Sequence, residues 1–319
     1  MIELEGESSE VTNQAKQQPD RIQRVCPGCG SDRFTPVWRK GDLRIGECGE
    51  CHIYYSNPVE EELASGEFYD RLGVPFYLSP DKLESDYAPV RFKRELAYFR
   101  RWCRRGRVLD VGCSTGAFLY RLNEIGDYET TGMDVTGPAL DHAESQGVRV
   151  LRKNFLEEDF GEQRFEAVTF WAVVEHLTDP LPFLEKAASL LVPGGHCFIL
   201  VPNRKSLATR ILGARYRYIM PDHVNYFSRS NLVGFVERVS GLRVIHDTTT
   251  HFNPLVIIQD LRRSPDRVTD ERRAGLLKKT TRWKQSPWLA PVRWGYELSE
   301  RCLARLGLAD NLVLVAERR

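Results

Sequence analysis

Short apolar runs alternate with amphipathic segments through the middle of the chain. The runs are RVLDV at 107–111, TTGMDV at 130–135, VRVL at 148–151, FEAVTFWAVV at 165–174 and HCFILV at 196–201. The segments between them place apolar residues three or four positions apart, as one buried face of a helix requires, most clearly in LPFLEKAASLL at 181–191. Strands that alternate with helices at this spacing predict an α/β fold with a doubly wound, mostly parallel sheet.

The flanking segments differ in pattern. Residues 1–22 are polar and acidic and predict a disordered leader. Residues 58–95 predict an aromatic connector and the start of a helix over 87–104. We assign 96–319 to the main domain, with a basic helical insertion at about 261–306. The closing run NLVLVAER predicts an edge strand.

Four of the eight cysteines predict a metal site. Cys26, Cys29, Cys48 and Cys51 have the spacing C-x2-C-x18-C-x2-C, and two strand-like runs between the pairs join at Lys40-Gly41-Asp42. A hairpin between two cysteine knuckles is typical of a zinc ribbon, which we place at 23–57. Four thiolates complete a tetrahedral shell, so the pattern favours structural Zn²⁺.

Composition narrows the function classes. Lys+Arg 45 against Asp+Glu 44 gives a formal charge of +1, which makes nucleic acid an unlikely general partner. No run approaches the roughly 20 apolar residues that span a bilayer, and the N-terminus lacks the basic and apolar regions of a secretory signal. We therefore expect a cytoplasmic protein.

A glycine-rich turn follows the first of the central strands. The residues Asp110, Gly112, Ser114 and Gly116 form the pattern Asp-x-Gly-x-Ser-x-Gly, and Asp134 ends the next strand. Doubly wound folds bind ligands at this edge of the sheet. The carboxylate of Asp110 would repel a pyrophosphate but attract an ammonium group, and Asp134 is placed to accept the hydroxyls of a ribose. The pattern therefore favours a nucleoside cofactor that carries an amino group.

At this point the sequence resembles class I S-adenosylmethionine-dependent methyltransferases, in particular the group that includes ubiquinone-biosynthesis methyltransferases. The resemblance rests on DVGCSTG, GMDV, FEAVTFWAVVEHLTDP, LVPGGHCFILVPN and PDHVNYFSRSNL, and it covers roughly residues 24–245 and the last strand. It implies a Rossmann-like fold, S-adenosylmethionine as cofactor, and transfer of a methyl group to a small molecule or a glycan. Oxygen is the favoured acceptor atom, with carbon and nitrogen as alternatives.

Further site residues come from the same segments. Phe155 and Trp171 are candidates to flank the adenine. Asn154 and Phe155 stand where many relatives place an acid that contacts adenine, which is a departure from the family pattern.

Two histidines are candidates for catalysis. If the acceptor is a hydroxyl, a general base must take its proton, and His176 and His223 are the candidate bases. A loop-orienting or core role is the alternative for each, with Glu175 as a charge at a helix start.

The segment 261–284 holds nine Lys or Arg residues against three acids, and Trp283, Trp288 and Trp294 follow closely. A solvated helix face is the ordinary explanation. Contact with a membrane surface or a lipid-linked acceptor through 261–294 is a second hypothesis. Two other functions stay open: an RNA methyltransferase, and a non-catalytic zinc-ribbon interaction protein that binds the cofactor without turnover.

Overall fold

The computed structural model describes residues 20–65, 68–69, 74–262, 269–285 and 290–319. Most of the leader, residues 1–19, therefore lies outside the described residues, as does Trp288. The strands are β1 (Arg21–Ile22), β2 (Phe34–Lys40), β3 (Leu43–Cys48), β4 (Tyr54–Ser56), β5 (Val59–Glu60), β6 (Gly106–Val111), β7 (Tyr128–Met133), β8 (Val150–Leu151), β9 (Phe165–Trp171), β10 (Leu191–Pro202), β11 (Asn225–Tyr226), β12 (Leu242–Thr250) and β13 (Asn311–Arg318).

Helices occupy both faces of the main sheet and one end of it. They are α1 (Glu61–Ser65), α2 (Val74–Tyr77), α3 (Pro80–Asp86), α4 (Lys93–Trp102), α5 (Ala117–Ile125), α6 (Gly137–Ser145), α7 (Leu181–Leu190), α8 (Leu207–Leu212), α9 (Arg229–Val236), α10 (Pro254–Leu261), α11 (Asp270–Gln285) and α12 (Ala290–Arg305). Among the described residues, none of these helices has the length and apolar character needed to cross a membrane.

The main sheet has seven strands in the order β12-β13-β10-β9-β6-β7-β8. The strands from β10 to β8 are parallel, which confirms the predicted doubly wound arrangement. Apolar side chains of α7 pack on this sheet, and Leu184 and Ala187 are fully buried as the helical pattern predicted.

The prediction that the closing strand lies at an edge was wrong. β13 is antiparallel to β10 on one side and to β12 on the other. The edge is β12, whose run Leu242–Thr250 mixes charged and threonine side chains and therefore lacks the apolar pattern that predicts a strand. Most of these side chains are only half-buried, so they lack the apolar character of the inner strands.

The cysteine segment forms the predicted hairpin, but it is not a separate module. β2 pairs with β3, and β4 adds to β3. The fourth strand of this sheet is β11, which comes from the main domain more than 160 residues later and pairs antiparallel with β4. Upstream, Arg21–Ile22 pair with Val59–Glu60 and so belong to the fold, although they lie within the predicted leader.

Side-chain contacts also join the hairpin to the main domain. The ring of Tyr55 is fully buried and belongs to one hydrophobic cluster with Cys26, Phe170 and Phe227. Asn231 donates its side-chain amide to the Cys51 carbonyl at 2.8 Å. The hairpin and the main sheet therefore share a core.

The connector and the basic segment pack on each other. In the connector, the predicted helix over 87–104 is shorter than expected, since α4 spans Lys93–Trp102. Along α11, Lys278 pairs with Asp81 at 2.6 Å and with Glu84 at 2.9 Å, and Arg282 pairs with Glu84 at 2.8 Å. Part of the basic charge is thus neutralised by the acids of α3.

The shared core predicts that a cavity at Tyr55 lowers the stability of the whole chain. We expect Tyr55→Ala to lower the free energy of unfolding of the whole chain by about 3 kcal/mol, because it leaves a cavity where the hairpin meets the main sheet. Val37→Ala is the control, since Val37 is 40% exposed on the outer strand β2. Denaturant unfolding measures both. An equal, small effect of the two variants would show that the hairpin does not stabilise the main domain.

Candidate functional site

A cavity of about 1020 Å³ opens at the carboxyl ends of β6, β7 and β9. This is where doubly wound folds bind ligands, and the volume lies at the upper end of the range for ligand pockets. Its other walls come from the connector and the basic segment, through side chains such as Tyr69, Tyr77, Arg273 and Trp283. All the predicted cofactor and histidine residues line this one cavity except Gly116.

The glycine-rich turn has the close approach that its sequence predicted. Gly112 has φ +74°, and an added Cβ would lie 2.4 Å from a methyl carbon of Val173. Ser114 adopts φ 50° and donates its backbone N–H to Asp134 Oδ2 at 2.8 Å. Gly116 stands at the start of α5 with φ 74°, packed against the chain at Ala143 and Val148. Its role is therefore to shape the turn behind the cavity wall.

Asp110 is a buried carboxylate with a neutral partner. Its Oδ1 accepts a hydrogen bond from the Thr169 hydroxyl at 2.5 Å, and no cation is paired with it among the ion pairs of the described residues. Burial raises the pKa of Asp110 to about 7, with a smaller contribution from the charge of Asp134. A bound ammonium group would supply the missing positive charge.

Asp134 is held by the backbone around it. Oδ2 accepts from Ser114 N, and Oδ1 accepts from Val135 N at 2.8 Å and from Thr136 N at 3.1 Å. Burial raises the pKa of this carboxyl, while the three N–H donors oppose the rise. A carboxylate offers about four lone-pair sites, so Asp134 retains acceptor capacity for a ligand hydroxyl in an orientation fixed by the turn.

The three residues expected near an adenine have different surroundings. Asn154 is exposed, and its side-chain oxygen accepts from Leu156 N at 2.9 Å. Phe155 is buried against Phe170 and Phe183, and it forms the floor of the cavity at this end. Trp171, at the end of β9, packs edge-on against Phe118, as a core residue would, while also lining the cavity.

His176 and His223 lie side by side in the wall of the same cavity. Their ring centroids are 4.6 Å apart. His176 Nδ1 is 2.7 Å from the carbonyl oxygen of Asp222, so Nδ1 carries the proton and donates it to that oxygen. The second nitrogen, Nε2, lies 4.0 Å from Glu175 Oε1.

The electrostatics of this cluster keep its histidines neutral. Burial lowers the pKa of His176, and it lowers the pKa of His223 well below the ordinary value, with further lowering of the latter by His176 and Arg273. Glu175 is fully buried, and burial together with the charge of Asp222 raises its pKa to about 8. Neutral imidazoles keep a lone pair that can accept a proton or bind a cation.

The loop after β9 is tied to the segment 216–227. The backbone carbonyl of Glu175 accepts from Val224 N at 2.9 Å and from Asn225 N at 3.0 Å. Asn225 Nδ2 donates to the carbonyls of Val174 and Leu177, and its Oδ1 accepts from Arg24 at 2.8 Å. These bonds place the two histidines next to each other although they are 47 residues apart.

Sequence reasoning missed three contributors to this site. Glu175 was interpreted as a helix-start charge, but its carboxylate faces the cavity with Asp222. Tyr69 contacts His176 edge-on, at a centroid distance of 5.8 Å. An acidic residue next to a histidine directly after a parallel strand was the available signal for Glu175, whereas nothing in the local pattern marked Asp222 or Tyr69.

The four cysteines come together as predicted. Sγ of Cys26 lies 3.4 Å from Sγ of Cys51, and Sγ of Cys29 lies 3.5 Å from Sγ of Cys48. Backbone N–H groups of Gly28 and Glu50 donate to Cys26 and Cys48 at 3.4 Å each. Four sulfur atoms around one tetrahedral ion with bonds of about 2.3 Å would be about 3.8 Å apart, so the set fits a single zinc ion.

Comparison with known proteins agrees with this architecture. A solved structure of an S-adenosylmethionine-dependent methyltransferase from Thermotoga maritima, described as a possible histamine N-methyltransferase, has a TM-score of 0.52. It shares 14% identity and covers 79% of this chain and 99% of its own, which shows a common fold.

Sequence relatives are closer. Ubiquinone biosynthesis O-methyltransferase of Serratia proteamaculans is 32% identical over 162 residues, which cover 46% of this chain and 66% of that protein. The protein of the same description from Coxiella burnetii is 32% identical over 172 residues, which cover 49% of this chain and 71% of that protein.

The family comparison covers the site itself. A family model described as a methyltransferase domain matches residues 86–247, slightly more than half of the 319 residues. The matched range contains both the glycine-rich turn and the histidine cluster. The chain therefore belongs to this family of methyltransferase domains and is an S-adenosylmethionine-dependent methyltransferase.

Proposed function

We propose that the protein transfers the methyl group of S-adenosylmethionine to a hydroxyl oxygen of a small molecule or a glycan. The observation that carries this proposal is the position of His176 and His223 in the same cavity as the glycine-rich turn. One cavity thus holds a place for a nucleoside cofactor and a place where a hydroxyl proton can be accepted.

The cofactor would lie along the glycine-rich turn. Asp110 would face the amino group of its methionine part, and Asp134 would accept from the ribose hydroxyls. Asn154, Phe155 and Trp171 remain candidates for the adenine end, where Phe155 and Trp171 offer apolar surface and Asn154 offers backbone and side-chain polar atoms. Gly112 allows the backbone to approach the ligand, and Ser114 fixes the carboxylate of Asp134.

The acceptor would lie between the histidine cluster and the helices that cover the cavity. Aromatic side chains of these helices and loops line this part of the cavity, among them Tyr69, Tyr77, Tyr218, Phe252 and Tyr296. Flat aromatic surfaces suit an aromatic ring or the apolar face of a sugar. The relatives named O-methyltransferases support oxygen as the acceptor atom.

Methyl transfer is an in-line displacement at carbon. The acceptor oxygen forms a bond to the methyl carbon while the bond from that carbon to the sulfonium sulfur breaks, which leaves S-adenosylhomocysteine. The chain aligns the two reactants and removes the hydroxyl proton. His176 is the better placed base, because Nδ1 donates to the Asp222 carbonyl and the lone pair is therefore on Nε2. His223 would position it.

In this proposal the basic segment forms part of the cavity wall, and this role does not require contact with a membrane. Arg273 lies over the ring of Phe76 and lines the cavity, and Trp283 contacts Tyr296 edge-on. Contact of 261–294 with a membrane surface or a lipid-linked acceptor stays a prediction from the sequence, as do the RNA acceptor and the cytoplasmic location. Exposed Trp294 is the described residue that most favours a surface contact.

We also propose that Cys26, Cys29, Cys48 and Cys51 hold a structural zinc ion. The sulfur separations and the N–H donors to sulfur support this assignment. The ion would stabilise the hairpin β2–β3 and, through β4, the strand β11 that follows His223.

The main test is product formation with labelled cofactor. The native chain is incubated with methyl-labelled S-adenosylmethionine and with panels of phenols, sugars and RNA, and products are identified by mass spectrometry. We expect a methyl ether. His176→Gln should lower kcat roughly 10²–10⁴-fold because the proton acceptor is lost, while the Kd for the cofactor is kept. His196→Gln, outside the cavity on β10, is the matched control. A methylated nitrogen, carbon or RNA product would contradict the proposal.

Cofactor binding should depend on pH through Asp110. Because the pKa of this carboxyl is about 7 in the free chain, a proton must leave before an ammonium group can pair with it. Affinity for S-adenosylmethionine should therefore fall as the pH decreases below 7, by up to about tenfold per pH unit. Calorimetric titrations between pH 5.5 and 7 measure this fall.

Two variants separate Asp110 from Glu175, a second carboxyl of the cavity whose pKa is raised toward neutral pH. Asp110→Asn should bind more weakly and without the pH dependence, while Glu175→Gln should keep the dependence of the native chain. An affinity that is constant over this range in the native chain would contradict a role of Asp110 in binding the amino group.

Zinc removal should affect the acceptor end more than the cofactor end. We expect one zinc ion per native chain, none in Cys29→Ser, and one in the control Cys302→Ser, whose cysteine is also exposed. In the zinc-free variant the melting temperature should decrease and KM for the acceptor should increase, because β4 no longer holds β11 in place. Elemental analysis, melting curves and kinetics measure these changes. A zinc-free variant with the native melting temperature would contradict the structural role.

A further inference from the structure

The acceptor end of the cavity contains buried polar atoms without hydrogen-bond partners. In the described part of the chain, both carboxylate oxygens of Glu175, Oδ1 of Asp222 and Nδ1 of His223 are buried and unpaired. Exposure is 1% for Glu175, 7% for Asp222 and 5% for His223. Buried polar groups are almost always paired in folded proteins, so four unpaired atoms at one place indicate a ligand.

The ligand atoms of Glu175, His176 and His223 converge. One such atom from each residue lies within 4.8 Å of the other two. In a coordination shell with bonds of about 2.1 Å, neighbouring ligand atoms are about 3–3.5 Å apart. The separations of these atoms therefore exceed those of a coordination shell by at most about 1–2 Å.

Each imidazole has a nitrogen that is available to a cation, and the ring of His176 is oriented as in metal-binding histidines. His176 Nδ1 donates to the Asp222 carbonyl, which leaves the lone pair on Nε2, 4.0 Å from Glu175 Oε1. Nδ1 of His223 is buried and has no hydrogen-bond partner, so it can offer a lone pair to a cation. A carbonyl that accepts from one ring nitrogen fixes the other nitrogen as a ligand.

We propose that Glu175, His176 and His223 bind one divalent transition-metal ion, distinct from the zinc of the four cysteines. Two imidazoles and one carboxylate suit Mn²⁺, Fe²⁺, Co²⁺ or Zn²⁺, whereas Mg²⁺ and Ca²⁺ prefer sites made of oxygen atoms. Three protein ligands leave open positions that face the cavity, as in catalytic and not structural metal sites.

This role deepens the proposed function and rests on it. The acceptor hydroxyl would occupy an open position, where the ion lowers the pKa of the hydroxyl. Its proton passes to the carboxylate of Asp222, and the resulting oxygen anion forms the new bond to the methyl carbon as the carbon–sulfur bond breaks. The products are a methyl ether, neutral S-adenosylhomocysteine and one proton. His176 is then a ligand, and Asp222 takes the part of the base.

The test measures metal binding alone, so its result does not depend on the acceptor or on turnover. The full chain, with zinc in the cysteine site, is titrated with Co²⁺ and followed by visible absorption and calorimetry. We expect one equivalent to bind with weak d–d bands and without the strong sulfur-to-cobalt charge-transfer band of a cysteine site. Glu175→Gln and His223→Gln should each weaken binding roughly 100-fold or more. Glu162→Gln, an exposed acid near the same sheet, is the control.

Melting curves establish that each variant is folded. If a variant does not fold, Mn²⁺ is added to the native chain, and selective broadening of the imidazole signals of His176 and His223 replaces the comparison. Absence of a second binding site in the folded, zinc-loaded chain would overturn the metal proposal, as would Co²⁺ bands that are unchanged in both variants or that carry the sulfur signature. In these cases His176 remains the candidate base, and the proposed methyl transfer is not affected.

Discussion

The pairing of β4 with β11 is the constraint on which the rest of the proposed acceptor site depends. β11 contains only Asn225 and Tyr226, and a strand of two residues has little stability of its own. Its position comes from three sources: pairing with Tyr54 and Tyr55, the hydrogen bonds of Asn225 to the loop after β9, and the N–H bonds to the Glu175 carbonyl. Asp222 and His223 precede this strand directly, so their places follow from it.

The same constraint explains why polar groups can be buried at this end of the cavity. Taking Glu175, His176 and His223 out of water lowers the stability of the chain, because burial opposes their charged forms. A flexible loop would relax and expose them. Here the loop after β9 and the segment 216–227 are each bonded to the other, and Lys40 adds hydrogen bonds to the carbonyls of Tyr216 and Ile219. These backbone hydrogen bonds thus keep the polar side chains of the cluster buried.

The sequence predicted those features that depend on local patterns. The parallel strands, the hairpin at Lys40-Gly41-Asp42 and the convergence of four cysteines all follow from residues close together in the chain. Asp110, Gly112 and Asp134 were found because a strand end and its turn carry their own signal. The alternation of apolar strands and amphipathic helices around them predicted the fold in the same way.

Contacts between distant segments could not be predicted in this way. Nothing near Asn225 indicates that its partners are Arg24, Val174 and Leu177. The position of β13 inside the sheet depends on β12, whose polar residues resemble a surface loop. Likewise, the ion pairs of the basic helix α11 with Asp81 and Glu84 exist because the fold places α3 beside α11, and no local pattern indicates that placement. Each of these contacts joins residues that are at least 48 positions apart.

These distant contacts also indicate what the cysteine hairpin contributes to the methyltransferase domain, although it does not form the cofactor loop. A hairpin of this size has little core, so the ion that we propose would supply most of its folding free energy. Because Tyr55 shares a core with Phe170 and Phe227, and because β4 pairs with β11, that free energy reaches the acceptor end of the cavity. The cofactor end is built from β6 and β7, whose pairing does not involve the hairpin. The pairing of β4 with β11 therefore links the hairpin directly to the segment that carries Asp222 and His223, whereas its link to the glycine-rich turn runs through the shared core, which includes Val111 and Met133.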